Sequence, residues 1–249
     1  MCMTRPTHEP RNAMIKLLTF DLDNTLWEID PVIIEAEKAM RNWVQQHVPE
    51  AVALLEMDQL KGTYKRVLEQ FPDVRNHPTN MRKKLLYEVF IQARLEHAHA
   101  LEMSDKAFAV FYKGRNQITL FHQAEQILKT LSDQYPLIAL TNGNANLEMI
   151  GIEGYFQAHF SSETEGKPKP HRAMFLRALS TLGVRPEQTI HIGDNPEEDI
   201  EAAGVLGFHT IWFNENQRLP ADRCQPSVEI HSLDQLPEAV HRIAALSLN

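Results

Sequence analysis

The chain has 249 residues, 43% hydrophobic and 23% charged, with 25 basic against 33 acidic side chains and a formal net charge of −8. This composition excludes a collagen-like fibre, a coiled-coil rod and wholesale disorder, and the length falls between one and two domains of about 150 residues. The acidic balance argues against broad nucleic-acid binding, which needs a basic face to displace counterions.

Residues 1–13 are polar, contain two prolines and show no period, so they read as a flexible N-terminal tail. Ile15 to Phe20 is a short apolar run ended by an aspartate-rich turn, the pattern of a buried strand. Helical texture then persists for nearly a hundred residues. Asp30-Pro31 predicts an N-cap and first turn, with Val32, Ala36, Ala39, Met40 and Trp43 at helical spacing. A second helix is expected over Ala51 to Gln70. Thr79 is expected to cap a third, carrying Leu85, Leu86, Val89, Phe90 and Ala93. A fourth should run from Ser104 to Phe111 or Tyr112 and end near Gly114.

From Ala124 onward the pattern alternates. Helices are expected over Ala124–Ser132, Asn146–Ile150, His171–Leu182, Glu197–Leu206 and Leu233–Leu246. Strands are expected over Leu137–Leu140, Thr189–Ile192, Phe208–Trp212 and Val228–Ile230. Alternating strands and helices imply an α/β fold with a parallel sheet covered on both faces. The expected layout is a core of residues 14–27 and 117–249 interrupted by an all-helical insertion, 28–116. No apolar run reaches the ~18 residues of a membrane span. Two cysteines, Cys2 and Cys224, build no disulfide framework, which makes the cytoplasm the expected compartment.

Ligands of a parallel sheet bind beyond the carboxyl ends of its strands. Four polar groups follow predicted strands or their loops: Asp21-Leu22-Asp23-Asn24-Thr25, Thr141-Asn142-Gly143-Asn144, Gly166-Lys167-Pro168-Lys169-Pro170, and Gly193-Asp194 through Asp199. Brought to one edge, the carboxylates would repel each other and require a cation. An all-oxygen donor set without His or Cys suits Mg²⁺, which favours phosphate oxygens. Hydroxyl, amide and lysine groups beside it suit phosphoryl transfer, where positioning and charge neutralisation dominate.

Asp21-x-Asp23-x-Thr25, a strand ending in Thr141, the Lys-Pro loop and Gly193-Asp194-x4-Asp199 resemble the four motifs of the haloacid dehalogenase-like (HAD) hydrolases, in family order from Ile15 onward. The resemblance implies a Rossmann-like core in which the insertion serves as a helical cap. It implies that Asp21 is a nucleophile forming an aspartyl phosphate and Asp23 a general acid and base. Mg²⁺ would be held by Asp21, the Asp23 carbonyl and Asp194, with Asp199 as a further ligand or as support. Thr141 and the Asn142 N–H would bind phosphoryl oxygens, assisted by a lysine. The family's lysine is followed six positions on by a large apolar residue. Lys169 has Phe175 there and Lys167 has Ala173, so Lys169 is favoured and Lys167 is the alternative.

Asp23 favours a phosphatase over a dehalogenase, which has no alkoxide to protonate. A phosphomutase and a non-catalytic binding protein are the other readings. The text after Thr141 is similar to a bacterial subgroup that dephosphorylates FMN and 5-amino-6-(5-phospho-D-ribitylamino)uracil, with pyrimidine 5′-nucleotidases and broad-specificity phosphatases as alternatives. The expected partner is a small phosphorylated metabolite, with neither nucleic acid nor membrane, for a monomer or small homo-oligomer. Arg82-Lys83-Lys84 reads as a solvated face more readily than as a substrate contact. His97 and His99, two apart on a helix, point apart and make a poor metal pair. Trp27 either lines the substrate site or packs beneath the cap.

Overall fold

Leu17-Leu18-Thr19-Phe20 forms β1 (Leu17–Phe20), every residue of it buried, which is why it reads as a run and not as an alternation. The structure is a computed structural model that describes residues 14–219 and 225–247. The expected tail and both cysteines lie outside the described residues. After β1 come α1 (Asp30–His47), α2 (Met57–Gln70), α3 (Pro78–Gln92) and α4 (His97–Arg115). The chain continues through α5 (Ala124–Ser132), β2 (Leu137–Thr141), α6 (Leu147–Ile150), β3 (Ala158–Ser161), α7 (Ser162–Glu165) and α8 (Ala173–Leu182). It ends with β4 (Thr189–Gly193), a π-helical turn (Pro196–Glu201) leading into α9 (Ala202–Val205), β5 (His209–Phe213), β6 (Val228–Ile230) and α10 (Leu236–Leu246).

The strands form one parallel sheet in the order β3-β2-β1-β4-β5-β6. Leu18 is level with Leu137 on one side and Ile190 on the other, so the three central strands end together. The order reverses at β1, and the crevice of such a sheet opens at that reversal. Successive residues of β1 serve opposite faces. Leu18 and Phe20 pack with Ile127, Leu128, Leu131, Val240 and Ile243 of α5 and α10, while Leu17 packs with Met174, Phe175 and Ala178 of α8. The fold is α/β with a Rossmann-like core.

The helices α1–α4 enclose an apolar cluster of their own, built from Ala36, Met40, Val44, Leu86, Val89, Phe90, Ala107 and Phe111. The helix α4 ends at Arg115, next to Gly114 as expected; a Cβ at Gly114 would stand 3.0 Å from the Cα and Cβ of Ala36, so glycine permits the close packing on α1. The helix begins earlier than expected, at His97, because Ala100 and Met103 extend its buried stripe. The expected second helix is divided, with a 3₁₀ turn over Pro49–Leu55 and an extended Glu56 before α2. Ile29, not Asp30, is the N-cap of α1, and His77 that of α3; Thr79 spends its side chain elsewhere. Strand β3 was not expected: Ala158-His159-Phe160-Ser161 is a half-buried edge strand without clear alternation. The expected helix from Glu197 opens instead as the π-helical turn. Among the described residues, no helix is long and apolar enough to cross a membrane.

Candidate active site

Asp21 follows β1 directly and is buried, with both carboxylate oxygens engaged. Lys169 Nζ donates to Oδ1 at 2.7 Å and the Thr25 hydroxyl to Oδ2 at 3.0 Å. The same ammonium donates to Asp199 Oδ1 at 2.5 Å. Lys169 is therefore the lysine at this edge, and Lys167 is exposed. Phe175, six residues on, is buried with its ring against His191.

Asp199 is placed by the π-helical turn, a wide turn that recurs at functional sites. Asn195 caps it by accepting from the Glu197 and Glu198 N–H groups, and the Asn195 N–H donates to Asp199 Oδ2 at 3.0 Å. The carboxylate tucks against Gly193, where a Cβ would lie 2.4 Å from its Cγ, so this position must be glycine. His191 Nε2, 3.1 Å from Asp199 Oδ1, donates to it and leaves Nδ1 to accept from the Thr19 hydroxyl at 2.8 Å. Asp194 is half-buried, with Trp212 Nε1 on its carbonyl at 2.9 Å and Arg218 near its carboxylate at 3.4 Å.

Burial raises the Asp21 pKa well above the usual carboxylate range, opposed by Lys169 and reinforced by Asp199 and Asp194. Burial, then Asp199, pushes Asp194 up to about 6. Burial would raise Asp199 as well, but Lys169 and His191 hold it below the ordinary value. Lys169 is pushed up by Asp199 and Asp21 against the effect of burial.

Carboxylate oxygens of Asp21, Asp194 and Asp199 lie within 4.8 Å of one another. Ligands sharing one Mg²⁺ at about 2.1 Å stand no more than about 4.2 Å apart, close to this spread, so these carboxylates could hold an ion. The all-oxygen donors and two carboxyls held high by crowding and burial fit a hard divalent cation. The Asp23 carboxylate stands outside this triangle. Trp27 Nε1 donates to its Oδ1 at 2.8 Å, and Arg115 Nη2 donates to Oδ2 at 2.8 Å and to Oδ1 at 3.1 Å. Trp27 is fully buried in the core cluster, so it packs and also fixes Asp23.

Thr141 ends β2, buried, its hydroxyl accepting from the Gly143 N–H at 3.0 Å. Asn142 uses its amide on the lysine loop: Oδ1 accepts from Lys169 N at 2.6 Å and Nδ2 donates to Lys169 O at 2.9 Å and to Glu198 Oε2 at 3.0 Å. That leaves the Asn142 backbone N–H, not its side chain, as the group for a phosphoryl oxygen. Arg115 and His191 escape sequence reasoning, and Glu198 is present in it only as part of the group after β4. His191 gives a faint signal as a polar residue inside an apolar strand, whereas a lone arginine after Gly114 gives none.

The basic run of α3 serves the helices around it. Arg82 pairs with Glu37 and covers Phe111, Lys83 pairs with Asp105 at 3.0 Å, and Lys84 lies over Phe71. His97 meets the Tyr87 hydroxyl, and His99 lies 3.9 Å from Glu102; both are exposed.

The family model described as haloacid dehalogenase-like hydrolase matches residues 15–207. The chain is 30% identical over 230 residues to the 5-amino-6-(5-phospho-D-ribitylamino)uracil phosphatase YigB of Escherichia coli (strain K12), covering 91% of this chain and 96% of the relative. It is 26% identical to the pyrimidine 5′-nucleotidase PynA of Streptococcus pneumoniae (strain ATCC BAA-255 / R6), over 91% and 95% of the two chains. Among solved structures it is similar to a 2-haloacid dehalogenase from Pseudomonas syringae pv. Tomato DC3000, with TM-score 0.88 and 35% identity over 92% and 99% of the chains.

Proposed function

The chain belongs to the haloacid dehalogenase-like hydrolases, as a phosphatase, and we propose that it is a Mg²⁺-dependent phosphomonoesterase working through an aspartyl phosphate on Asp21. The observation that carries the reading is the separation of two carboxylates that stand two positions apart in one loop. Asp21 sits inside the triangle with Asp194 and Asp199, and Asp23 sits outside it among N–H donors. In this reading Asp21 meets phosphorus and Asp23 moves protons.

When bound, Mg²⁺ supplies positive charge to the carboxylates and the phosphate oxygens. Asp21, Asp194 and the Asp23 carbonyl would hold it, with Asp199 as further ligand or support. Asp21 attacks phosphorus while Asp23 gives a proton to the departing alcohol. Water then cleaves the acyl phosphate with Asp23 taking its proton. The Thr141 hydroxyl and Asn142 N–H bind the phosphoryl oxygens, and Lys169 offsets their charge. Residues 28–116 act as a cap over a core of 14–27 and 117–249. Its seat is the Thr79 N–H and hydroxyl on Glu163, at 2.5 and 3.2 Å, with Asn144 Nδ2 on the Thr79 hydroxyl at 3.1 Å. The cytosol is the compartment, on the scarcity of cysteine.

Small phosphometabolites are the substrate class. The ribityl-pyrimidine phosphate comes first, on the likeness to YigB at 30% identity, then FMN, and pyrimidine nucleotides after them on the likeness to PynA. The likeness to a dehalogenase at 35% identity favours a second reading, release of halide from a 2-haloacid. A panel of FMN, the ribityl-pyrimidine phosphate, UMP and 2-chloropropionate, with and without MgCl₂, decides between them. Phosphate release that needs Mg²⁺ and is fastest on the ribityl compound is expected. Halide release without phosphate release overturns the phosphatase reading. Equal rates on every phosphate ester remove the flavin-type preference.

A further inference from the structure

Arg115 is the last residue of α4, where the chain leaves the helical insertion for the core, and it is 1% exposed. Arginine is almost never buried this deeply without a pairing reason. Its Nε donates to Asn144 Oδ1 at 2.9 Å and its Nη2 reaches both oxygens of Asp23. Gly143 makes room for the pair: a Cβ there would stand 2.5 Å from Asp23 Oδ2 and 2.9 Å from Arg115 Nη2. Nη1 is buried and has no hydrogen-bond partner among the described residues. The guanidinium's other two nitrogens are committed to the acid-base carboxylate and the adjoining loop.

We propose that Arg115 is a positioning residue for the second half-reaction, holding the Asp23 carboxylate as the base that accepts the proton of the hydrolytic water. The assignment rests on the phosphatase reading above. In that half-reaction the water oxygen bonds to phosphorus and the bond from phosphorus to the Asp21 oxygen breaks. Its electron pair returns to Asp21, the water proton passes to Asp23, and inorganic phosphate leaves. The step needs Asp23 as an acceptor, and both its oxygens here accept from N–H donors. The first half-reaction uses Asp23 as a donor, and an O–H there finds no acceptor in Arg115, whose nitrogens only donate. Loss of Arg115 therefore falls on breakdown of the acyl phosphate and spares its formation. Because Arg115 ends α4, seating the helical insertion and presenting the base are one event.

The test uses the full chain, p-nitrophenyl phosphate and MgCl₂. In Arg115→Met, kcat is expected to fall about 10- to 100-fold, the lower end of what a positioned base contributes. KM should fall with it, leaving kcat/KM, which reports only the steps through acyl-phosphate formation, within about threefold. Acid-quenched variant should carry phosphate on the protein, and Arg115→Lys should recover part of kcat. A parallel fall of kcat and kcat/KM without trapped phosphate, or an unchanged kcat, overturns the assignment. If Arg115→Met does not fold, Asn144→Ala, which frees the guanidinium's Nε, is read by the same split at a smaller factor, and its absence overturns the proposal. Wild-type protein inert on every phosphomonoester strikes the phosphatase reading itself. Wild-type turnover with no split in the variants strikes Arg115 alone.

Discussion

The sheet edge and the helical insertion handle charge in opposite ways. At the edge, Asp21, Lys169, Asp199 and His191 are buried in one chain of contacts, and burial and one another's charges shift their pKa values. In the insertion, Arg82, Lys83 and Lys84 stay near the surface and pair with Glu37, Asp105 and aromatic faces, contacts of small individual worth. The insertion's buried interior is almost wholly apolar, with Thr63, Ser104, Arg115 and Asn116 the buried polar residues there. Burying charge costs several kcal/mol per ion, and a fold sustains that cost where chemistry requires it. The difference teaches that the edge holds the proposed reactive groups and that the insertion reaches Asp23 through the buried Arg115.

The largest effect should come from the edge. Asp21→Asn keeps the shape and removes the attacking oxygen, so phosphate release is expected to fall at least about 10⁴-fold with an unchanged circular dichroism spectrum. Wild-type turnover in that variant breaks the assignment of chemistry to the edge. Next is Lys169→Met, which strips the shared cation from Asp21 and Asp199. Removing one partner of a buried pair costs about 3–5 kcal/mol, so metal-free protein should melt well below wild type. MgCl₂ should recover more stability in the variant than in wild type, because the ion replaces the lost charge among the carboxylates. Equal shifts in both proteins would remove the cation from the triangle.

Much of this edge is legible in sequence because most of the proposed reactive groups follow a strand. Asp21, Thr141 and Asp194 inherit their places from the carboxyl ends of β1, β2 and β4, and periodicity predicts those ends within a residue or two. Lys169 is legible through the spacing to Phe175, whose burial in the core fixes the loop. Arg115 is not legible: 92 residues separate it from Asp23, and nothing local marks the end of a helix as a site. Strand β3 is missed for a related reason. Its pairing with β2, not its own pattern, makes it a strand.

A third prediction tests whether the insertion's interior is a separate unit of stability. Phe90 is fully buried within its cluster, and Phe90→Ala should cost about 3–5 kcal/mol. Hydrogen exchange should show the loss in α1, α3 and α4 first, with β1, β2 and β4 keeping their protection. Uniform loss across helices and sheet would merge the two regions into one cooperative unit.

The smallest effect lies where the two regions meet away from the reacting groups. His159 stands on β3 with its Nε2 buried and unpaired among the described residues, in a polar cavity of about 330 Å³ that also holds Glu148, Glu153 and Tyr112. Burial and then the charge of Arg115 lower its pKa below the ordinary 6.5. Above that value the ring is neutral in both folded and unfolded chains and contributes nothing to pH dependence. As pH falls through it, the unfolded chain takes up the proton first, so the folded state loses stability. Melting temperatures between about pH 8 and pH 5 should therefore decline less in His159→Gln than in wild type. The carboxylates of Glu148 and Glu153 line the same cavity. Parallel curves for the two proteins would mean that the insertion's arginine acts on Asp23 and leaves the titration of its other neighbour unchanged.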